Sequence, residues 1–105
     1  MGKKSLESLT ETMFYVLMAF RRRALCGTEA AGFVSRKTRG RVNMGPGTLY
    51  TILAKFQEEG LLTEIAVEGR KRTYQLTAAG EKRYQEEVAR LRACVADAES
   101  EEERP

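Results

Sequence analysis

The sequence predicts a mainly α-helical chain with one small β-hairpin, and three stretches carry that reading. Gly45-Pro46-Gly47-Thr48-Leu49-Tyr50 opens a helix that runs to Gly60, and two short β-rich runs then flank Glu68-Gly69-Arg70-Lys71. After Thr77, the residues Tyr84, Val88, Leu91, Val95 and Ala98 follow one another at alternating steps of four and three. Apolar residues at helical spacing mark a buried helix face, whereas β-branched and aromatic runs around a glycine mark a hairpin.

From the N-terminus, Leu6, Leu9, Met13, Val16, Leu17 and Phe20 recur at three- and four-residue steps and predict a first helix, with Thr10 or Ser8 as its cap. Arg21-Arg22-Arg23 closes it. Cations in a last turn suit the negative end of a helix, and a phosphate clamp is the other use open to the triplet. Gly27-Thr28 starts a second helix with Ala30, Ala31, Phe33 and Val34 inward and Ser35, Arg36, Lys37 and Arg39 outward, and Gly40 ends it.

Pro46 suits the start of the third helix, because its fixed φ is already helical and its missing N–H would have had no intrahelical partner. Leu49, Ile52, Leu53 and Phe56 form the buried stripe, which leaves Thr48, Tyr50, Thr51, Lys55 and Gln57 on the other faces. Gly60 supplies the left-handed position that commonly ends a helix. Leu62 to Val67 and Arg72 to Leu76 read as two short strands. Thr77 caps a last helix whose heptad-like seam suits packing against another helix, and Gly80 within it, about 1 kcal/mol worse than alanine in a helix, points to close packing there.

Three helices, a two-stranded wing and a final helix make a winged helix-turn-helix over residues 1–76 and a C-terminal dimerisation helix over 77–98. The tail 99–105, acidic and without an apolar residue, is expected to be disordered or a frayed helix end.

A chain of 105 residues with 42% hydrophobic content is one domain's worth, and a partner subunit is expected to supply part of its stability. Its longest apolar run, Met13 to Phe20, is far short of a bilayer span, and no signal-peptide pattern opens the sequence, so a cytoplasmic location and no membrane partner are expected. Histidine is absent, and Cys26 and Cys94 stand apart, so no metal, no cofactor and no catalytic residue is expected; each thiol reads as a small buried hydrophobe. The acidic residues form no obvious inward-facing pair, and an enzyme is not expected. Cys94, one residue off the seam, is either a packed interface residue or a thiol that pairs across a two-fold axis in a redox-responsive regulator.

The net charge is +3, but residues 1–76 carry 13 Lys and Arg against 7 Asp and Glu, while residues 77–105 carry 5 against 8. The basic part is the part with the groove-reading elements, which predicts double-stranded DNA as a partner. In a helix-turn-helix the second helix enters the major groove by its N-terminal residues, here Thr48, Tyr50 and Thr51, with Lys55 one turn on. Tyr50 has a second reading, as an anchor packed into the domain. Arg70, Lys71 and Arg72 at the wing tip, not neutralised by their sequence neighbours, are read as phosphate or minor-groove contacts, with a solvated surface as the alternative; Arg36, Lys37 and Arg39 are added as backbone contacts. Leu9, Met13, Phe20, Tyr84, Val88, Leu91 and Val95 are expected to carry the homodimer contact. The competing class is a winged-helix module that binds an acidic protein.

At Pro46-Gly47-Thr48-Leu49-Tyr50 the sequence resembles the PadR family of bacterial transcriptional regulators. The likeness continues through Glu58-Glu59-Gly60-Leu61-Leu62, the Tyr74-Gln75-Leu76-Thr77 segment that ends the wing, and Gly80, covering about residues 6–98. It implies a homodimeric repressor of an inverted-repeat operator, often released by a small-molecule effector, in the compact subgroup with a single C-terminal helix. Thr51 stands where the family usually has proline, Cys26-Gly27-Thr28 where His-Gly-Tyr is common, and no Trp is present to stack flat aromatic compounds.

Overall fold

The computed structural model describes residues 8–103. Its elements are α1 (Glu11–Ala19), β1 (Leu25–Cys26), α2 (Gly27–Lys37), α3 (Pro46–Glu58), β2 (Leu62–Glu68), β3 (Lys71–Leu76) and α4 (Ala78–Glu102). This is the mainly helical chain with a small wing that the sequence predicts. Leu6 lies outside the described residues.

Local chemistry sets most of the boundaries. Thr10, not Ser8, caps α1, its hydroxyl accepting the Met13 N–H at 3.1 Å, so the helix begins at Glu11 and Leu9 is buried ahead of it. Arg21-Arg22-Arg23 does not form the last turn of α1, because Phe20 is the C-cap and no cation lies within that turn. The triplet instead makes the corner that leads into β1. At the end of α2 the helix stops at Lys37, earlier than expected, and Arg39 and Gly40 both take positive φ (55° and 78°) as the chain turns back. Arg39 therefore lies beyond the helix, though it is exposed as expected.

The sheet has three strands in the order β1-β3-β2, all antiparallel. β1 was not foreseen. It is two residues long and pairs Leu25 with Tyr74 and Cys26 with Thr73. In the hairpin, Gly69 takes φ 63°, a conformation that costs a residue without a side chain little. A bulge falls between Glu64 and Ala66, so Ile65 is left without a partner on β3. Bulges of this kind bend a strand and re-aim its side chains.

The core joins all these elements. Val16 and Leu17 of α1, with the capping Phe20, meet Ala30 and Val34 of α2, Leu49, Leu53 and Phe56 of α3, and Tyr74 of β3. Phe20 packs edge-on against Tyr74 with ring centres 6.4 Å apart, and Phe14 stacks flat on Tyr84 at 5.2 Å. These contacts correct part of the expected dimer surface: Leu9, Phe20 and Tyr84, at 5%, 2% and 8% exposure, are already covered by their own chain. Periodic spacing marks them as buried, but the face that buries them belongs to the same subunit. Met13 and Val88 are partly buried against that core, while Leu91 and Val95 are exposed.

Thr77 ties α4 to the rest of the fold. Its hydroxyl donates to the Gly60 carbonyl at 2.7 Å and accepts the Gly80 N–H at 2.9 Å, and its own N–H donates to the Leu61 carbonyl at 3.0 Å. The helix then continues through the acidic residues to Glu102, past the boundary at 98, since glutamate and alanine extend an established helix readily. Arg104 and Pro105 lie outside the described residues.

One acidic side chain does point inward. Glu87 is 1% exposed and accepts hydrogen bonds from Arg90 at 3.0 Å and Arg83 at 3.5 Å, while the Leu9 N–H also faces it. Arg90 is the main cause holding its carboxyl below the ordinary range, against the opposing effect of burial. With its oxygens taken up in this way, it secures the segment ahead of α1 to α4 and offers no general base.

Candidate nucleic-acid interface

The exposed surface of α3 divides into a centre and two flanks. Leu49, Ile52, Leu53 and Phe56 are buried, so at 3.6 residues per turn the opposite face is centred on Gly47, Thr51 and Ala54, all exposed. Thr48 and Lys55 form one flank and Tyr50 the other. Of these, sequence reasoning marks only Thr51 for contact; Gly47 and Ala54, with little or no side chain, leave the helix backbone open beside it.

Tyr50 reconciles its two readings. Its ring lies against the start of α2, where a β-carbon on Gly27 would sit 3.3 Å from it, yet half of the residue (50%) remains exposed. Gly27 leaves the space that the ring edge uses. The exposed part lines a cleft of about 700 Å³ together with Arg70, Lys71, Arg72 and Tyr74 from the wing. Tyr50 of α3 and the basic wing therefore share one concave surface.

Within that surface the three wing cations are not equivalent. Arg70 and Lys71 are exposed at the hairpin tip, whereas Arg72 pairs with Glu64 across the hairpin at 3.0 Å. That pair corrects the expectation that no neighbour neutralises them: the partner is eight residues away and comes into reach only through the strand pairing. Burial pushes the Tyr74 phenol up, helped by the Glu64 charge, so it stays neutral at physiological pH.

Residues Cys26 to Glu29 complete the cleft on the α2 side, and they too were missed as part of it. The Glu29 carboxylate accepts the Cys26 N–H at 2.8 Å, and this bond is the first cause of its lowered pKa. Cys26 is buried as expected, but Cys94 is exposed on α4. Arg36 and Lys37 do not join this site. They line an adjoining cleft with the Arg21 to Arg23 corner and Tyr84, which shares Thr28 and Glu29 with the first.

Among the described residues no group of His, Cys, Asp and Glu could hold a metal ion, and no helix is long and apolar enough to cross a membrane. A helix with a small, hydroxyl-bearing face beside a basic wing is an arrangement for reading nucleic acid. The family model for PadR-like transcriptional regulators matches residues 16–86, from the middle of α1 into α4. The chain belongs to the PadR-like family.

Solved structures of transcriptional regulators share the fold. A transcriptional regulator from Clostridium thermocellum superposes with a TM-score of 0.75 at 20% identity, covering 85% of this chain and 87% of that one. A PadR family regulator from Clostridium difficile gives 0.74 at 14% identity, with 87% and 97% covered. Bacillus subtilis PadR, solved in complex with operator DNA, gives 0.65 at 20% identity, with 74% of this chain and 46% of that chain covered. At such identities the likeness is one of fold. No curated protein matches this PadR-like chain in sequence. The family is one of transcriptional regulators, not of enzymes.

Proposed function

We propose that this PadR-like regulator binds double-stranded DNA as a homodimer, represses transcription from an inverted-repeat operator, and is released by a small-molecule effector. The observation that carries the reading is the shared cleft of Tyr50 and the Arg70-Lys71-Arg72 wing, beside the open face of α3. In the proposed complex Thr48 and Thr51 reach base edges, Tyr50 and Lys55 meet the backbone or groove wall, and the wing follows the phosphates. Arg36 and Lys37, which line the adjoining cleft, are left out of this contact.

Dimerisation is supported by the exposed Leu91 and Val95 on α4, with Val88 and Met13 half-covered beside the core. Two copies related by a two-fold axis would present their α3 helices to half-sites about one helical turn, roughly 34–36 Å, apart. That Bacillus subtilis PadR was solved on operator DNA supports DNA as the partner.

A low-salt mobility-shift assay with promoter DNA flanking the chain's own coding region tests the proposal. Saturable binding with two chains per duplex site is expected. Binding to acidic protein partners with no DNA shift would instead favour a protein-interaction module, and a chain that stays monomeric at micromolar concentration would remove the two-fold arrangement.

A further inference from the structure

Two surfaces of the chain are unaccounted for by DNA contact, and each has what the other lacks. The first is the far half of α4. Every residue from 89 to 103 is exposed, so this stretch extends about 20 Å past the packed part of the helix. Leu91 and Val95 on it are 36% and 56% exposed, and beyond Arg92 its charged residues, Asp97, Glu99, Glu101, Glu102 and Glu103, are all acidic.

The second surface is a cleft of about 660 Å³ bounded by the end of α1, the outer face of α2 and Tyr84. Arg22, Arg23, Arg36 and Lys37 stand around it, and none of them forms an ion pair among the described residues. Met18 and Phe33 supply apolar surface between them. The cleft's one carboxylate, Glu29, accepts the Cys26 N–H and offsets part of this charge, mainly that of Arg23, which leaves the cleft net positive. The remaining like charges repel one another, and an anionic occupant lowers that cost.

We propose that the acidic end of α4 docks into this cleft on a second copy of the chain, with the two α4 helices antiparallel across Leu91 and Val95. The proposal rests on the homodimer reading and specifies which surfaces meet. An antiparallel pair centred between Leu91 and Val95 brings Glu102 of one helix level with Tyr84 of the other, which is the residue of α4 that lines the cleft. A parallel pair would set each acidic end against the other and leave both clefts without an anion. Two-fold symmetry then fills both clefts at once. Thr28 and Glu29 line this cleft and also the one shared by Tyr50 and the wing, so the docked end lies next to the DNA-facing surface.

Paired charge reversal tests the docking. One variant carries Glu99→Lys and Glu102→Lys, the other Arg22→Glu and Arg23→Glu, all at exposed positions. Alone in low salt, each should dissociate about tenfold or more readily than the unmodified dimer, measured by sedimentation equilibrium, because like charges now meet. An equimolar mixture should regain dimerisation, since a mixed dimer sets a lysine end in a glutamate cleft and a glutamate end in an arginine cleft. Variants that dimerise as tightly as the unmodified chain, or a mixture no tighter than its components, would overturn the docking while leaving the homodimer intact. If the unmodified chain is itself monomeric, the homodimer reading falls and the docking falls with it.

Discussion

A β-carbon on Gly80 would lie 2.3 Å from the carbonyl oxygen of Leu61 and 2.5 Å from Cδ1 of Leu76. The first turn of α4 therefore rests directly on the turn between α3 and β2, backbone against backbone. Alanine at this position gains about 1 kcal/mol of helix propensity but must push the turn away from the helix, and overpacking of this kind typically costs about 1–3 kcal/mol. Because the obstacle is a backbone oxygen, the steric cost should win. Gly80→Ala is expected to lower the midpoint of thermal unfolding, and circular dichroism melts check it; an unchanged or raised midpoint would show that α4 is not seated as described.

Acid should loosen the same end of α4. Arg21 donates two hydrogen bonds to the Glu81 carboxylate, at 2.9 and 2.8 Å, and lies over the Tyr84 ring at 4.5 Å. With a further bond from Gln85, this guanidinium holds the Glu81 pKa down to about 2 from its ordinary 4.5. A carboxyl whose pKa is depressed by folding stabilises above its unfolded value and loses that contribution as pH falls toward the folded one. Glu81→Gln should therefore be less stable than the unmodified chain at neutral pH, with the gap closing between pH 4.5 and about 2. A gap independent of pH would mean that the ion pair contributes nothing.

Base reading and backbone contact should separate on α3. Thr51→Ala or Thr48→Ala should change the ranking of operator variants, with a loss on the order of 1–3 kcal/mol at the base contacted. Lys55→Ala should weaken all sequences alike, as expected of a phosphate contact. Competition binding with single-base operator variants distinguishes the two, and a uniform loss for Thr51→Ala would remove it from the reading face.

The sequence showed what is local and withheld what depends on distant pairing. Thr10, Gly60 and Thr77 announce helix ends because capping needs only a few neighbouring residues. β1 was not legible: two residues carry no periodicity, and Leu25 becomes a strand only by meeting Tyr74. The same limit explains Arg72, whose partner Glu64 is set by hairpin register, and Tyr84, whose spacing says buried without saying against Phe14. Arg36 and Lys37 were correctly read as outward. Their direction around α2, toward the Arg21 to Arg23 corner, depends on how α1 crosses α2.

The proposed role of the wing faces its most direct test in the salt dependence of DNA affinity. Each phosphate neutralised by a cation contributes roughly 0.9 to the slope of log K against log salt. Arg70→Ala, Lys71→Ala and Arg72→Ala combined should weaken binding to every DNA sequence and make that slope shallower by about 2 to 3, the lower figure if Arg72 stays with Glu64. Affinity and slope equal to those of the unmodified chain would contradict the wing's place on the DNA backbone.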